Sequence, residues 1–153
     1  HALTFLINKK MKYDFILVLL GNSPTIKYQW IKKAINIIKA NKKITSVVPV
    51  VKFQDYHPYR SKTLASDGSL KSFFKFNKKI SSNRQDLPPA FFLCHNFWLI
   101  KLEKGFLPSK GEAPWNFLGN KVFPLEVSSS IDIHEYDDLK ESSLWLKKNN
   151  IKY

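Results

Sequence analysis

Cysteine is nearly missing from this chain of 153 residues: Cys94 stands alone, which excludes an internal disulfide and a zinc site built on cysteine ligands, and fits a reducing cytoplasm. Long apolar runs are missing too. The longest candidate, residues 15–20, has the length of a strand, against the roughly 18 or more residues of a membrane span, so no membrane partner is expected. Arginine is scarce: of 25 basic residues only Arg60 and Arg84 carry a guanidinium, beside 12 acidic residues. A formal charge of +13 invites a nucleic-acid partner through counterion release. Phosphate and base readers, however, favour the planar guanidinium, no recognised reader motif is present, and lysines spread over solvated faces explain the charge as well. The start has no initiator methionine, no charged n-region and no cleavage site, so it does not read as a targeting peptide.

What is present is core material. With 44% hydrophobic and 14% aromatic residues the chain can bury one core, and its length suggests one domain, residues 1–153. Residues 1–7 read as the end of an amphipathic helix entered midway, so the chain is expected to be the C-terminal part of a longer protein. Residues 13–20 form an almost continuous apolar run, the pattern of a strand covered on both faces. Gly21, Asn22 and Pro24 break it, and Ser23 or Thr25 is placed to cap the following helix, whose stripe is Ile31, Ala34, Ile35 and Ile38. A valine-rich strand over 44–53 completes a strand-helix-strand unit with an expected right-handed crossover. From Asp55 to Pro89 the character changes to Pro58, a turn at residues 66–69 and polar sequence, which reads as a hairpin with long arms. Residues 90–102 return to core-like sequence. A looped stretch over 105–119, a short edge strand over 122–127 and a helix from about 135 to 148 follow. The order predicts an α/β fold, a mostly parallel sheet interrupted by an arm. In such sheets ligands sit beyond the carboxyl ends of the strands, which selects the loops after Leu20, Phe53 and Val127.

Three stretches, "YDFILVLLGNSP", "SVVPVVKFQDYHPYR" leading to "SSNRQDLPPAF", and "SSSIDIHEYDDLKESSLWL", together resemble the acylneuraminate cytidylyltransferase family and cover nearly the whole chain. The resemblance implies a partial Rossmann-like nucleotidyltransferase sheet with helices on both faces and an inserted β-hairpin dimerisation arm at 57–89. It implies transfer of CMP from CTP to an acidic 2-keto sugar, sialic acid or a related nonulosonate or 3-deoxy-octulosonate, by a cytoplasmic homodimer that uses Mg²⁺ or Mn²⁺. The sugar hydroxyl attacks the α-phosphorus and pyrophosphate leaves. The family's N-terminal loop around the CTP phosphates has no counterpart in these residues, so the chain alone is expected not to turn over nucleotide.

Residue by residue, the resemblance makes Asp132 a catalytic carboxylate and metal ligand, with His134 where the family has its second aspartate. Imidazole there departs from the hard oxygen that Mg²⁺ prefers. On residue type alone, a helix N-cap is the alternative for Asp132 and a surface or capping group for His134. Arg84 matches the arginine of an Arg-Gln-x-Leu-Pro arm and is assigned to catalysis with Lys62; Arg60 is assigned to substrate phosphate or carboxylate. A solvated loop role is the alternative for each. His57 reads as a packed turn residue. Gly21, Asn22 and Ser23 stand where the family has a substrate-contacting Gln-Pro-Thr-Ser run. His95 and Asn96 lie in the segment where the family has Asn-Gly-Ala, and Phe92 replaces a substrate arginine. His95 and Asn96 are therefore candidate substrate contacts, with a core role as the alternative for His95. Two other readings stay open: a family member without catalysis that serves as a binding or assembly module, and a basic nucleic-acid-binding domain.

Overall fold

The computed structural model describes residues 1–151 and divides them into two compact units, residues 1–51 with 93–151, and residues 52–92. In chain order the regular elements are α1 (Ala2–Asn8), β1 (Phe15–Leu19), α2 (Tyr28–Ala40), β2 (Ser46–Lys52), β3 (Lys62–Leu64), β4 (Leu70–Ser72), β5 (Phe91–Leu93), β6 (Phe97–Lys101), β7 (Val122–Glu126) and α3 (Tyr136–Lys148).

The larger unit is built on a sheet whose order runs β1-β6-β2-β5, with β7 also pairing with β2. β1 pairs antiparallel with β6, and β2 pairs antiparallel with β6 through Ser46 and Val47. β2 and β7 are parallel, from Ser46 opposite Val122 to Val50 opposite Glu126. This overturns the expected mostly parallel, Rossmann-like sheet. The strand formed by residues 97–101 runs against its neighbours and inserts between β1 and β2, so the strand-helix-strand unit read from the sequence does not close into a neighbouring parallel pair.

Period-two alternation explains why the sheet buries both faces. Val47, Phe97, Leu99, Leu125 and Val127 point to one side, where Ala34 and Ile38 of α2 meet them with Ile31 and Ile35 alongside. Val48, Val50, Trp98 and Ile100 point to the other, against Leu118, Trp115 and Phe117. Helices on both faces were expected; the second face is instead covered by the residues around a short 3₁₀ turn, Asn116–Leu118. That turn ends on Gly119, whose φ of 82° and lack of a Cβ let the backbone pass Thr45: an added Cβ would stand 2.6 Å from the Thr45 side chain.

α3 begins where Asp138 accepts hydrogen bonds from the backbone N–H of His134 and Glu135, both at 2.9 Å, satisfying donors that a helix start leaves open. Its Trp145 meets Trp30 of α2 at 5.9 Å between ring centroids, with the Lys27 ammonium over both rings.

The smaller unit holds a shorter hairpin than the sequence suggested. β3 and β4 are three residues each and pair antiparallel, Leu64 opposite Leu70. Gly68, at φ 80°, and Asp67, which accepts from the N–H and hydroxyl of Ser69, close the turn. The flanks are fixed by single-turn 3₁₀ helices at Pro58–Arg60 and Arg84–Asp86. Among the described residues no helix is long and apolar enough to cross a membrane.

Candidate functional site

β1 ends in a turn that Ser23 N–H closes on the Leu20 carbonyl at 3.1 Å. Ser23 and Thr25 were expected to cap α2, yet the N-cap is Lys27, without a side-chain bond, and the two hydroxyls reach across the unit instead. Ser23 Oγ donates to the Ile131 carbonyl at 3.4 Å, and the Ile131 N–H donates to Thr25 Oγ1 at 3.1 Å. The Ile133 N–H donates to the Asn22 carbonyl at 2.7 Å. Two segments more than a hundred residues apart are thereby laced together on either side of Asp132.

The segment between β5 and β6 completes the cluster. Asn96, fully buried, donates from Nδ2 to the Thr25 carbonyl at 2.7 Å and to Thr25 Oγ1 at 3.1 Å. His95, its neighbour, points the other way, and its Nδ1 lies 2.7 Å from Asp132 Oδ2. The imidazole stands edge-on to Trp98 at 5.7 Å and to Trp115 at 6.3 Å. The Trp98 indole is itself fixed by donating to the Cys94 carbonyl at 3.0 Å. Burial pushes the Cys94 thiol up to about 11, with the nearby Asp132 charge acting in the same direction and a Ser130 hydrogen bond against it. Among the described residues Asp132 Oδ1 and Asn96 Oδ1 are buried with no hydrogen-bond partner.

No family model and no curated protein matches the chain. The geometry therefore stands on its own residues. Of those singled out from the sequence, Asn22, Ser23, His95, Asn96 and Asp132 come together in the larger unit, with Gly21 in the same turn. Asp132 is not the N-cap of α3, a place that Glu135 takes. His134 is exposed; its backbone N–H serves the helix start, and Asp132 has His95 as its partner instead. Among the described residues no three His, Cys, Asp or Glu side chains gather as a metal-holding group.

In the smaller unit Arg84 and Arg60 meet on one residue that the sequence reading passed over, Asp55. Arg84 Nη1 pairs with its carboxylate, and Arg60 Nη1 donates to its carbonyl at 3.4 Å. Arg84 also lines a cleft of about 470 Å³ with Lys52, Gln54 and Gln85. Lys62 is exposed on β3. His57 is a packed turn residue: Nδ1 accepts from the Tyr59 N–H at 3.1 Å, and Nε2 lies 2.9 Å from the Pro88 carbonyl. Phe92, where the resemblance implied an arginine, is 38% exposed.

A larger cleft of about 610 Å³ lies among Ile7, Lys10, Met11, Tyr13, Lys104 and Gly105, and includes none of the residues singled out above. Thr25 and Trp115 were not singled out as site residues in the sequence. A threonine after a Ser-Pro pair reads as an ordinary helix cap, and nothing local reveals a partner at residue 131.

Proposed function

We propose that this chain is the acceptor-sugar side of a cytidylyltransferase that joins CMP from CTP to an acidic 2-keto sugar. One observation carries the reading: hydrogen bonds that span 37 to 108 residues join the Gly21–Ser23 turn and Thr25, the His95-Asn96 pair and the Ile131-Asp132 segment into a single cluster. Two of the three stretches that carry the family resemblance supply its opposite walls. In the reaction a sugar hydroxyl forms the new bond to the α-phosphorus of CTP while the bond to pyrophosphate breaks. Arg60 and Arg84, which meet on Asp55, are the two guanidinium groups of the smaller unit.

The reading brings a divalent cation with it, and the donor set fits at one point. Among the described residues Asp132 Oδ1 is a carboxylate oxygen with no hydrogen-bond partner, and Mg²⁺ takes most of its positions from phosphate and water. Bound there, the cation would offset charge on the phosphates as the pyrophosphate leaves. Asp132 would hold it through Oδ1 while Oδ2 keeps His95 in place. A homodimer and a cytoplasmic setting belong to the same proposal. Leu64, Leu70 and Phe73, each more than 60% exposed on the smaller unit, are the apolar groups that a second copy would cover.

The test is pyrophosphate release from CTP with Mg²⁺ or Mn²⁺ and a panel of 2-keto sugar acids, using the protein as its gene encodes it, with any residues that precede His1. Release dependent on one of the sugars supports the reading; no release from folded protein across the panel overturns it. The exposed His134, in place of a second aspartate, favours a binding module as the second reading, which tight CTP binding without turnover would select.

A further inference from the structure

A second cleft of the smaller unit gathers cations and aromatic rings. It encloses about 580 Å³ and is lined by Tyr59, Phe76, Lys75, Lys78 and Lys79, with Asp86 among them. The rings are held in place: Tyr59 stands edge-on to Phe76 at 5.2 Å and to the buried His57 at 4.9 Å, and its N–H donates to His57 Nδ1. Tyr59 is nonetheless 39% exposed, within reach of a ligand. The positive charge is uncompensated. No acidic residue stands between Asp67 and Asp86, a stretch that carries Lys71, Lys75, Lys78 and Lys79. Among the described residues none of these lysines pairs with a carboxylate. The carboxylate in the cleft, Asp86, is taken up by Ser81 Oγ at 2.7 Å and Asn83 Nδ2 at 3.5 Å. An ammonium meets a phosphate as a point charge, without the bidentate fork by which a guanidinium reads a base edge. Rings beside such charges stack an unpaired base whatever its identity. Because the rings line a concavity they suit a flat base, whereas insertion into a bilayer needs apolar groups that protrude.

We propose that this cleft binds single-stranded nucleic acid without sequence preference, with Lys75, Lys78 and Lys79 meeting backbone phosphates and Tyr59 and Phe76 stacking a base. The scarcity of arginine, which argues against reading of base edges, agrees with a site that holds the strand and leaves its sequence unread. The inference goes beyond the cytidylyltransferase reading and does not rest on it, since it uses other residues and pyrophosphate release does not test it.

The experiment follows fluorescence anisotropy of a labelled single strand of mixed sequence, about twelve nucleotides long, titrated with the protein over a range of salt concentrations. A duplex of the same sequence, phosphatidylserine vesicles and free CTP are the comparisons. The single strand is expected to bind tightest, and log affinity to fall against log salt with a slope of about −2, roughly 0.7 for each of three phosphate contacts. Lys78→Ala combined with Lys79→Ala is expected to flatten that slope to about −0.7. Removing the same charge from α3, with Lys147→Ala and Lys148→Ala, is expected to leave it unchanged. All four lysines are exposed, so neither pair of changes disturbs packing. Tyr59→Ala is expected to weaken the strand about tenfold at an unchanged slope, and Tyr59→Phe, which keeps the ring, to bind as the unaltered protein does. Equal slopes in the two lysine pairs overturn the proposal, because the binding then belongs to diffuse charge. Unchanged affinity in Tyr59→Ala overturns it as well, as does binding of the duplex, the vesicles or CTP that is as tight as that of the strand, or no binding of the strand at all.

Discussion

Replacing Thr25 by valine removes one hydroxyl and keeps the shape of a side chain that is wholly buried. In the native chain Thr25 Oγ1 accepts from the Ile131 N–H and from Asn96 Nδ2, each at 3.1 Å. Asn96 keeps its shorter bond to the Thr25 carbonyl at 2.7 Å, so the uncompensated loss falls on the Ile131 N–H. A buried donor left without a partner costs about 1–3 kcal/mol, and Ile131 is only partly buried, which places the expected cost at about 1–2 kcal/mol. For a chain of this size that lowers Tm by roughly 2–8 °C. Urea denaturation gives the free energy, and native-state hydrogen exchange locates it: the amides of Ile131 and Ile133 should exchange faster than those of α2. Thr25→Ser keeps the hydroxyl, so its Ile131 amide should stay protected. Unchanged stability in Thr25→Val, with unchanged protection at Ile131, would refute the claim that this hydroxyl ties the Asp132 segment to the end of β1.

Gly119→Ala should cost roughly 2–5 kcal/mol, because the added Cβ meets Thr45 at 2.6 Å and the positive φ disfavours any side chain; thermal melting measures it. Arg84→Ala should change stability by less than about 1 kcal/mol, since both Arg84 and Asp55 are more than half exposed, and should lower pyrophosphate release if the arginine meets substrate. The Asp138 carboxyl is held below its usual 3.8 by hydrogen bonds from His134 N–H first and Glu135 N–H second. Its contribution is therefore present above the ordinary aspartate value and lost as pH falls through the lower folded value. Acid titrations of α3 helicity in the native chain and in Asp138→Asn should converge below that range and separate above it. With its thiol raised from 9.0 to about 11, Cys94 carries about a hundredth of the thiolate of an ordinary cysteine, so alkylation near neutral pH should require unfolding.

Local pattern made the elements legible. The valines of β2, the stripe of Ala34 and Ile38 on α2, and the acidic start of α3 sit where alternation, helical spacing and capping chemistry place them. Strand order was not legible. Residues 97–101 read as buried sequence, but nothing in Phe97-Trp98-Leu99-Ile100 states that it runs antiparallel between β1 and β2, because that depends on partners far along the chain. The site divides in the same way. Asp132, His95 and Asn22 could be singled out by type and resemblance, whereas the bonds joining them run through Thr25 and the main chain of Ile131 and Ile133. Asp55 escaped notice because one aspartate among polar arm residues carries no signal until Arg60 and Arg84 are seen to meet on it.

The most direct measurement is amide chemical-shift mapping of the protein titrated with CTP and with a sugar acid. Shifts centred on Asn22, Ser23, His95 and Asp132 are the result expected. Shifts confined to the cleft around Lys10, Tyr13 and Lys104, or none at all, would contradict a nucleotide-sugar site at the end of β1.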